Sequence, residues 1–363
     1  MGTPWQNLVL VATALAAVGA LAQAPPVRHG MDSALEAYRQ QLEAARNDAQ
    51  RAAIHYRIAT DLLAANRLQE AAVAFREALV LGDAALAISS LNQAAPAYLR
   101  LGERDALVLL CQVALEAHRD NEHVRAAAHF YAGRAHEANG ERGRAIAEYE
   151  ALLETCPGSL WRTQTAQLLA NIHLAGSDLA AAEAVVTGEL RRTPGNVSLG
   201  LRLVGILEQR RDLPAAAALC ERLLAEQPET HVIAQKLYQL KKQLGELDAY
   251  IAELGRALQQ RPTDRVVRRR LANVYMGEKR YAEAVAEHEN LLEAEPEDPA
   301  LHQRVAWLHQ QQGALEKARQ YYESALALQP QNLSLYSPLG DVYMRLGDDD
   351  AAMEAWKKAS AYA

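Results

Sequence analysis

Five prolines, Pro194, Pro228, Pro262, Pro296 and Pro330, stand 34 residues apart in strict phase. A fixed period of that length marks a repeated supersecondary unit. On this phase, units begin at Thr163, Val197, His231, Arg265, Pro299 and Leu333. The seventh position of each is Leu169, Leu203, Leu237, Leu271, Val305 and Leu339. The eighth is small at Ala170, Ala272, Ala306 and Gly340, with Val204 and Tyr238 as exceptions. The twentieth is Ala182, Ala216, Ala284, Ala318 and Ala352, broken by Tyr250. The seventeenth is Leu179, Leu213, Leu247, Tyr281 and Leu315, until Asp349.

Each unit reads as two antiparallel helices. The apolar half of the chain is rich in Ala and Leu, which are strong helix formers, and only two Phe occur. Small residues at positions eight and twenty let the two helices cross closely. Large residues at four, seven, eleven and twenty-four fill the space between units. A glycine or polar residue near fifteen makes the turn. Proline at thirty-two ends the second helix. One hairpin cannot bury its apolar stripe alone, so neighbours must stack.

Upstream, the phase continues with small slips. A unit from Ala126 carries Gly133, Ala145, Tyr149 and Pro157, and one from Ala52 carries Ile58, Ala59, Leu62, Leu68, Ala71, Phe75 and Ala78. The segment from Ile88 is the weakest: Tyr98 and Gly102 fit, but Pro96 falls inside a helix, where it costs about 3 kcal/mol. Either that helix is kinked or the register over 88–121 is different. Ser33 to about Asn47 reads as an extra amphipathic helix.

The last two units resemble tetratricopeptide repeats through Tyr336, Leu339, Gly340, Tyr343, Gly347, Ala352, Trp356 and Ala359, and through Val305, Ala306, Gly313, Ala318, Tyr322, Ala325 and Pro330. The resemblance covers about 52–363, in some nine units. It implies an all-α, right-handed α-α superhelical solenoid of tetratricopeptide-type helical hairpins with a concave inner face. The expected organisation is 1–22 signal peptide or short anchor, 23–33 linker, 34–51 capping helix and 52–363 repeats. The clearest repeats are 126–157, 163–196, 197–230, 231–264, 265–298, 299–332 and 333–363. Family members usually carry a polar helix after the last unit. None follows here, which predicts that Met353, Trp356 and Tyr362 form an apolar surface for self-association or another protein.

Leu8–Ala22 is an uncharged apolar run of fifteen residues, short of the roughly 20 that span a bilayer. Ala20-Leu21-Ala22 suits signal-peptidase cleavage before Gln23. No Lys or Arg precedes the run. The expectation is an exported, periplasmic or secreted protein. The alternative is a membrane tether through residues 8–22.

Catalytic chemistry finds little support. Cys111, Cys156 and Cys220 are too sparse for a disulfide framework or a metal site. Cys111 and Cys220 fall at packing position twenty-four, whereas Cys156 is at a helix end and is expected to be exposed. Seven of eleven histidines, His55, His129, His136, His173, His288, His302 and His309, take packing positions. No HExxH, GxSxG, Walker-type loop or GxGxxG occurs. The expectation is no enzyme activity, no cofactor and no metal. A net charge of −7 disfavours nucleic acid as a partner.

The resemblance further implies that positions two, five, nine and twelve face the groove. Those are Gln164, Gln167 and Asn171; Gln235, Gln239 and Lys242; Arg269, Asn273 and Met276; and Gln303, Trp307 and Gln310. Amides pair with the backbone of an extended peptide, and a desolvated Trp is a candidate hot spot. The selected partner-binding groove is Gln235, Gln239, Lys242, Arg269, Asn273, Gln303, Trp307 and Gln310. Arg261, Arg265, Arg268, Arg269 and Arg270 form a basic cluster, either for an acidic partner or as a solvated helix face. The family's clamp for a chain-end carboxylate is incomplete. Arg269 and Asn273 fit it, but Arg304 stands where Asn belongs, and Ser334 and Pro338 replace the second basic pair. The expected function is a non-catalytic scaffold holding a protein or peptide in its groove. The alternative is a membrane-tethered assembly subunit of a secretion, polysaccharide-export or envelope-maintenance machine.

Overall fold

A computed structural model describes residues 31–360. The expectations placed on residues 1–22, on the start of the linker and on Tyr362 lie outside the described residues. All regular structure among the described residues is helical. The chain divides after Ile206 into two compact units.

The first unit contains α1 (Met31–Ala44), α2 (Asp48–Ala64), α3 (Leu68–Leu81), α4 (Ala84–Leu101), α5 (Arg104–Ala117), α6 (Glu122–Ala138), α7 (Arg142–Thr155), α8 (Arg162–Ala175), α9 (Leu179–Arg192) and the start of α10 (Val197–Gln209). The expected capping helix over 34–51 is corrected to α1, which ends at Ala44. Asn47 has extended backbone, and its side chain accepts the Gln50 N–H, so it starts α2 and hands residues 48–51 to the first repeat. Tyr38 of α1 is buried, and its hydroxyl donates to Asp61 of α2 at 2.8 Å.

The second unit holds the rest of α10, then α11 (Leu213–Glu226), α12 (His231–Gln243), α13 (Leu247–Gln260), α14 (Arg265–Gly277), α15 (Tyr281–Ala294), α16 (Pro299–Gln311) and α17 (Leu315–Leu328). A short 3-10 turn then leads into α18 (Tyr336–Leu346), and α19 (Asp349–Ser360) follows. Each phased proline lies two residues beyond the end of α9, α11, α13, α15 or α17. Asp348 caps α19, accepting the Ala351 N–H at 3.1 Å.

The turn column is the most regular feature. Left-handed backbone among the described residues occurs at Asn66, Gly102, Gly140, Ser177, Arg211, Gly245, Lys279, Gly313 and Gly347. These are the fifteenth positions of the nine units, including the weak one from Ile88. That settles the register over 88–121: α4 runs continuously through Pro96, and Gly102 closes it at φ +88°. Buried Ala94, Ala95, Ala97 and Tyr98 hold the helix around the proline. The early slips in phase have a local cause. The first helices α4 and α6 begin four residues ahead of Ile88 and Ala126, an added turn that later units lack.

A left-handed residue carrying Cβ is disfavoured by roughly 1–2 kcal/mol. Lys279→Gly is therefore expected to stabilise the second unit by about 0.5–1 kcal/mol, once the greater freedom of unfolded glycine is subtracted. Urea unfolding checks this, and an unchanged midpoint would count against strain at the turn.

The small column also has a visible cause. A Cβ on Gly133 would sit 2.3 Å from the Tyr149 ring, and one on Gly340 would sit 2.5 Å from the Trp356 indole. Position eight is therefore small where position twenty-four is a large aromatic. Trp356 is half-buried over Gly340, while Met353 is exposed. All three cysteines are free and buried, which corrects the expected exposure of Cys156. It caps the end of α7 and packs beneath Phe130, Leu152 and Trp161. Burial pushes the Cys220 thiol up to about 12 and Cys111 higher still, so neither is a ready nucleophile.

Candidate functional site

The first helices of three successive repeats, α12, α14 and α16, line one cavity of about 750 Å³ inside the second unit. Gln235, Gln239, Asn273, Gln303 and Trp307 of the sequence-selected groove all line it, as does Met276. Their common face follows from position: residues two, five, nine and twelve share one side of a 3.6-residue helix. Trp307 keeps 37% of its surface exposed and meets Tyr281 edge-on at 5.9 Å.

Lys242, Arg269 and Gln310 are not among the lining residues. Each has a partner within the protein. Lys242 Nζ donates to Glu278 at 2.6 Å, and Arg269 pairs with Glu295 at 3.2 Å. The Tyr322 hydroxyl donates to the Gln310 side-chain carbonyl at 3.0 Å. The Lys242 hydrogen bond, with a second from Tyr238, holds the Glu278 carboxyl below the usual carboxylate range. In the first unit, Gln167 donates to Ser198 at 2.6 Å.

The basic cluster is mostly neutralised within the fold. Arg261 lies 3.9 Å from Asp264, Arg265 reaches Glu295 at 3.0 Å and Arg268 reaches Glu287 at 2.7 Å. Of the five arginines, Arg270 lines the cavity. It donates to the Pro228 carbonyl, and its Nε is buried without a partner.

Sequence reasoning left out the residues that open the cavity. Tyr238 and Tyr250 stand at positions eight and twenty of the same repeat, where other units are mostly small. Both are buried and both line the cavity. With two rings in place of two methyls, α12 and α13 pack less closely than the hairpins α14–α15 and α16–α17. The signal was present in the broken columns. Arg304 was also noted in the sequence, as the residue that spoils the clamp. It lies in the cavity, donating to Asn273 Oδ1 at 3.1 Å.

The histidines follow their packing positions unevenly. His136, His288 and His309 are buried, while His55, His129, His173 and His302 are half-buried. His129 and His136 meet Glu148 and Glu141 at 2.7 and 2.6 Å. The hydrogen bond from His136 draws the Glu141 carboxyl below its ordinary range. Among the described residues, no group of three or more His, Cys, Asp or Glu could hold a metal ion. No helix of the described residues is long and apolar enough to cross a membrane.

Stacked helical hairpins with a fixed left-handed turn define an all-α helical-repeat solenoid protein. Sequence profiles of the tetratricopeptide repeat match residues 168–229 and 243–308, and a TPR repeat profile matches 308–347. The chain carries tetratricopeptide repeats over these residues, and repeats of this kind generally mediate protein–protein interactions.

Several solved structures are similar. MamA from Desulfovibrio magneticus RS-1 is 18% identical, with 45% of this chain and 92% of that one covered at a TM-score of 0.34. A tetratricopeptide repeat protein from Parabacteroides merdae is 17% identical, with 65% and 93% covered at 0.37. PilW, described as a type IV pilus biogenesis factor, is 19% identical, with 55% and 92% covered at 0.37. A search of curated proteins found no match.

Proposed function

We propose that the second unit is a non-catalytic scaffold that holds an extended polypeptide in the cavity along α12, α14 and α16. One observation carries this reading: amides and an exposed Trp from three repeats converge on a single cavity. Gln235, Gln239, Asn273 and Gln303 offer both donors and acceptors to a peptide backbone. Trp307 supplies a large apolar anchor that loses its remaining solvent contact on binding. Lys242, Arg269 and Gln310, selected with them from the sequence, stiffen the rim through their internal partners.

Peptides selected from a random-sequence display library against the wild-type protein provide the test. Trp307→Ala is expected to weaken them at least tenfold, or about 1.4 kcal/mol, with little change in Tm. Equal binding by mutant and wild type would refute the groove.

The apolar run Leu8–Ala22 supports export or a membrane tether. Under export, the mature protein leaves with the soluble envelope fraction. A tethered assembly subunit would stay with membranes, and fractionation separates the two. Exposed Met353 favours self-association at the last repeat, read out by the mass of the protein in solution.

A further inference from the structure

We infer that the cavity of the second unit selects segments carrying an acidic side chain, which Arg304 reads; this rests on the peptide-binding reading above. The lining contains two guanidinium groups, Arg270 and Arg304, and no carboxylate. Around it, charge is matched: Lys242 with Glu278, Arg265 and Arg269 with Glu295, Arg268 with Glu287. Among the described residues, the two lining arginines pair with no carboxylate, and the acceptors they have are neutral. Arg304 uses the Asn273 side-chain oxygen, and Arg270 uses the Pro228 carbonyl.

Donors therefore outnumber acceptors on this wall, and the buried Arg270 Nε has none. Arg304 is exposed. Its pKa is nevertheless pushed down, first by surrounding protein and then by the positive charge of Arg269, which together outweigh the pull of the Asp298 carboxylate. An exposed cation beside another positive charge gains from an incoming anion, because the counter-charge offsets that repulsion. Guanidinium binds carboxylate through two parallel N–H donors, which also fixes the ligand's orientation.

The geometry favours a side-chain carboxylate over a chain end. Position six of the following repeat is Pro338, and position two is Ser334, so no second cation comes from there. Pro338 itself closes that end of the lining. Of the two lining guanidinium groups Arg304 is the exposed one, and beside the amides it suits one acidic side chain on a segment that passes through.

The probe is a random-peptide display library selected on the wild-type protein, with winners resynthesised as C-terminal amides. The expected result is enrichment of Asp or Glu at one position. Arg304→Gln, which keeps a donor toward Asn273, should weaken those peptides at least tenfold. It should leave versions with Ala at the acidic position unchanged, and raising the salt concentration should reduce the difference. Peptides sensitive to Trp307→Ala but without acidic enrichment would overturn the acidic selection and leave the groove standing. Equal weakening of acidic and neutral peptides would do the same. A requirement for the free C-terminal acid would overturn it in favour of chain-end recognition. Winners indifferent to Trp307→Ala would remove the groove, and this inference with it.

Discussion

Arg162→Ala is expected to destabilise the first unit by about 3–5 kcal/mol. Arg162 opens α8 and is 9% exposed; Glu189 of α9 is 5% exposed. Nε and Nη2 of the arginine both donate to one Glu189 oxygen, at 3.0 and 2.8 Å. Nη1 donates to the carbonyls of Leu153 and Cys156 at the end of α7. One side chain thus ties the second helix of one repeat to both helices of the next. Truncating it leaves a carboxylate out of water with no cation, the configuration that makes breaking a buried pair so damaging.

Glu189→Ala should cost less, because Arg162 still has two carbonyls to satisfy it. The double variant Arg162→Met/Glu189→Leu should recover more than half of the loss, since no charge remains buried. Its residual deficit is the two carbonyls, about 1–2 kcal/mol. Urea unfolding of the three variants measures the three losses. A double variant no more stable than Arg162→Ala would mean that the unpaired buried carboxylate is not what the single variant loses.

Acid should loosen the second unit through His288. This ring is fully buried on α15, donates from Nδ1 to the Ala284 carbonyl at 2.8 Å, and has no partner for Nε2. Burial, partly offset by the hydrogen bond to the Ala284 carbonyl and helped by the nearby cations Arg304 and Arg269, depresses its pKa from 6.5 to about 4. The sign follows from linkage. Above pH 6.5 the ring is neutral in both states, and its contribution is fully present. Below that, the unfolded chain takes up a proton that the folded protein refuses, so stability falls until about pH 4.

A shift of that size corresponds to roughly 3 kcal/mol. His288→Leu fills a similar volume without a titrating group and should flatten the slope between pH 7 and pH 4. The half-open pair of His309 and Glu289, 3.4 Å apart, adds a smaller effect of the same sign, because burial depresses the His309 pKa. Parallel pH profiles for wild type and His288→Leu would show that the acid sensitivity lies elsewhere.

Local chemistry made most of the fold legible. The phased prolines, the small columns and the fifteenth position each reflect one steric demand repeated at a fixed interval, and such demands are written in single residues. Helix boundaries were less legible. Asn47 read as the tail of one helix, whereas it caps the next, because a cap and a final turn differ only in backbone angles. Cys156 read as exposed because it ends a helix. Its burial depends on Phe130 and Trp161 arriving from neighbouring helices.

The candidate site divides in the same way. Gln235, Gln239, Asn273, Gln303 and Trp307 share a helix face that sequence spacing alone defines. Whether their neighbours Lys242, Arg269 and Gln310 also reach the cavity depended on the positions of Glu278, Glu295 and Tyr322, which spacing does not encode.

By itself, the amino-acid sequence determined the hairpin repeat, its turns and the amide-rich face, since these obey the short-range geometry of a helix. The broken columns at Tyr238 and Tyr250 marked the place, but only the tertiary structure showed that the repeats part there to leave a cavity. It also decided which arginines keep a carboxylate and which face the cavity without one, because burial and charge pairing depend on residues distant in the chain.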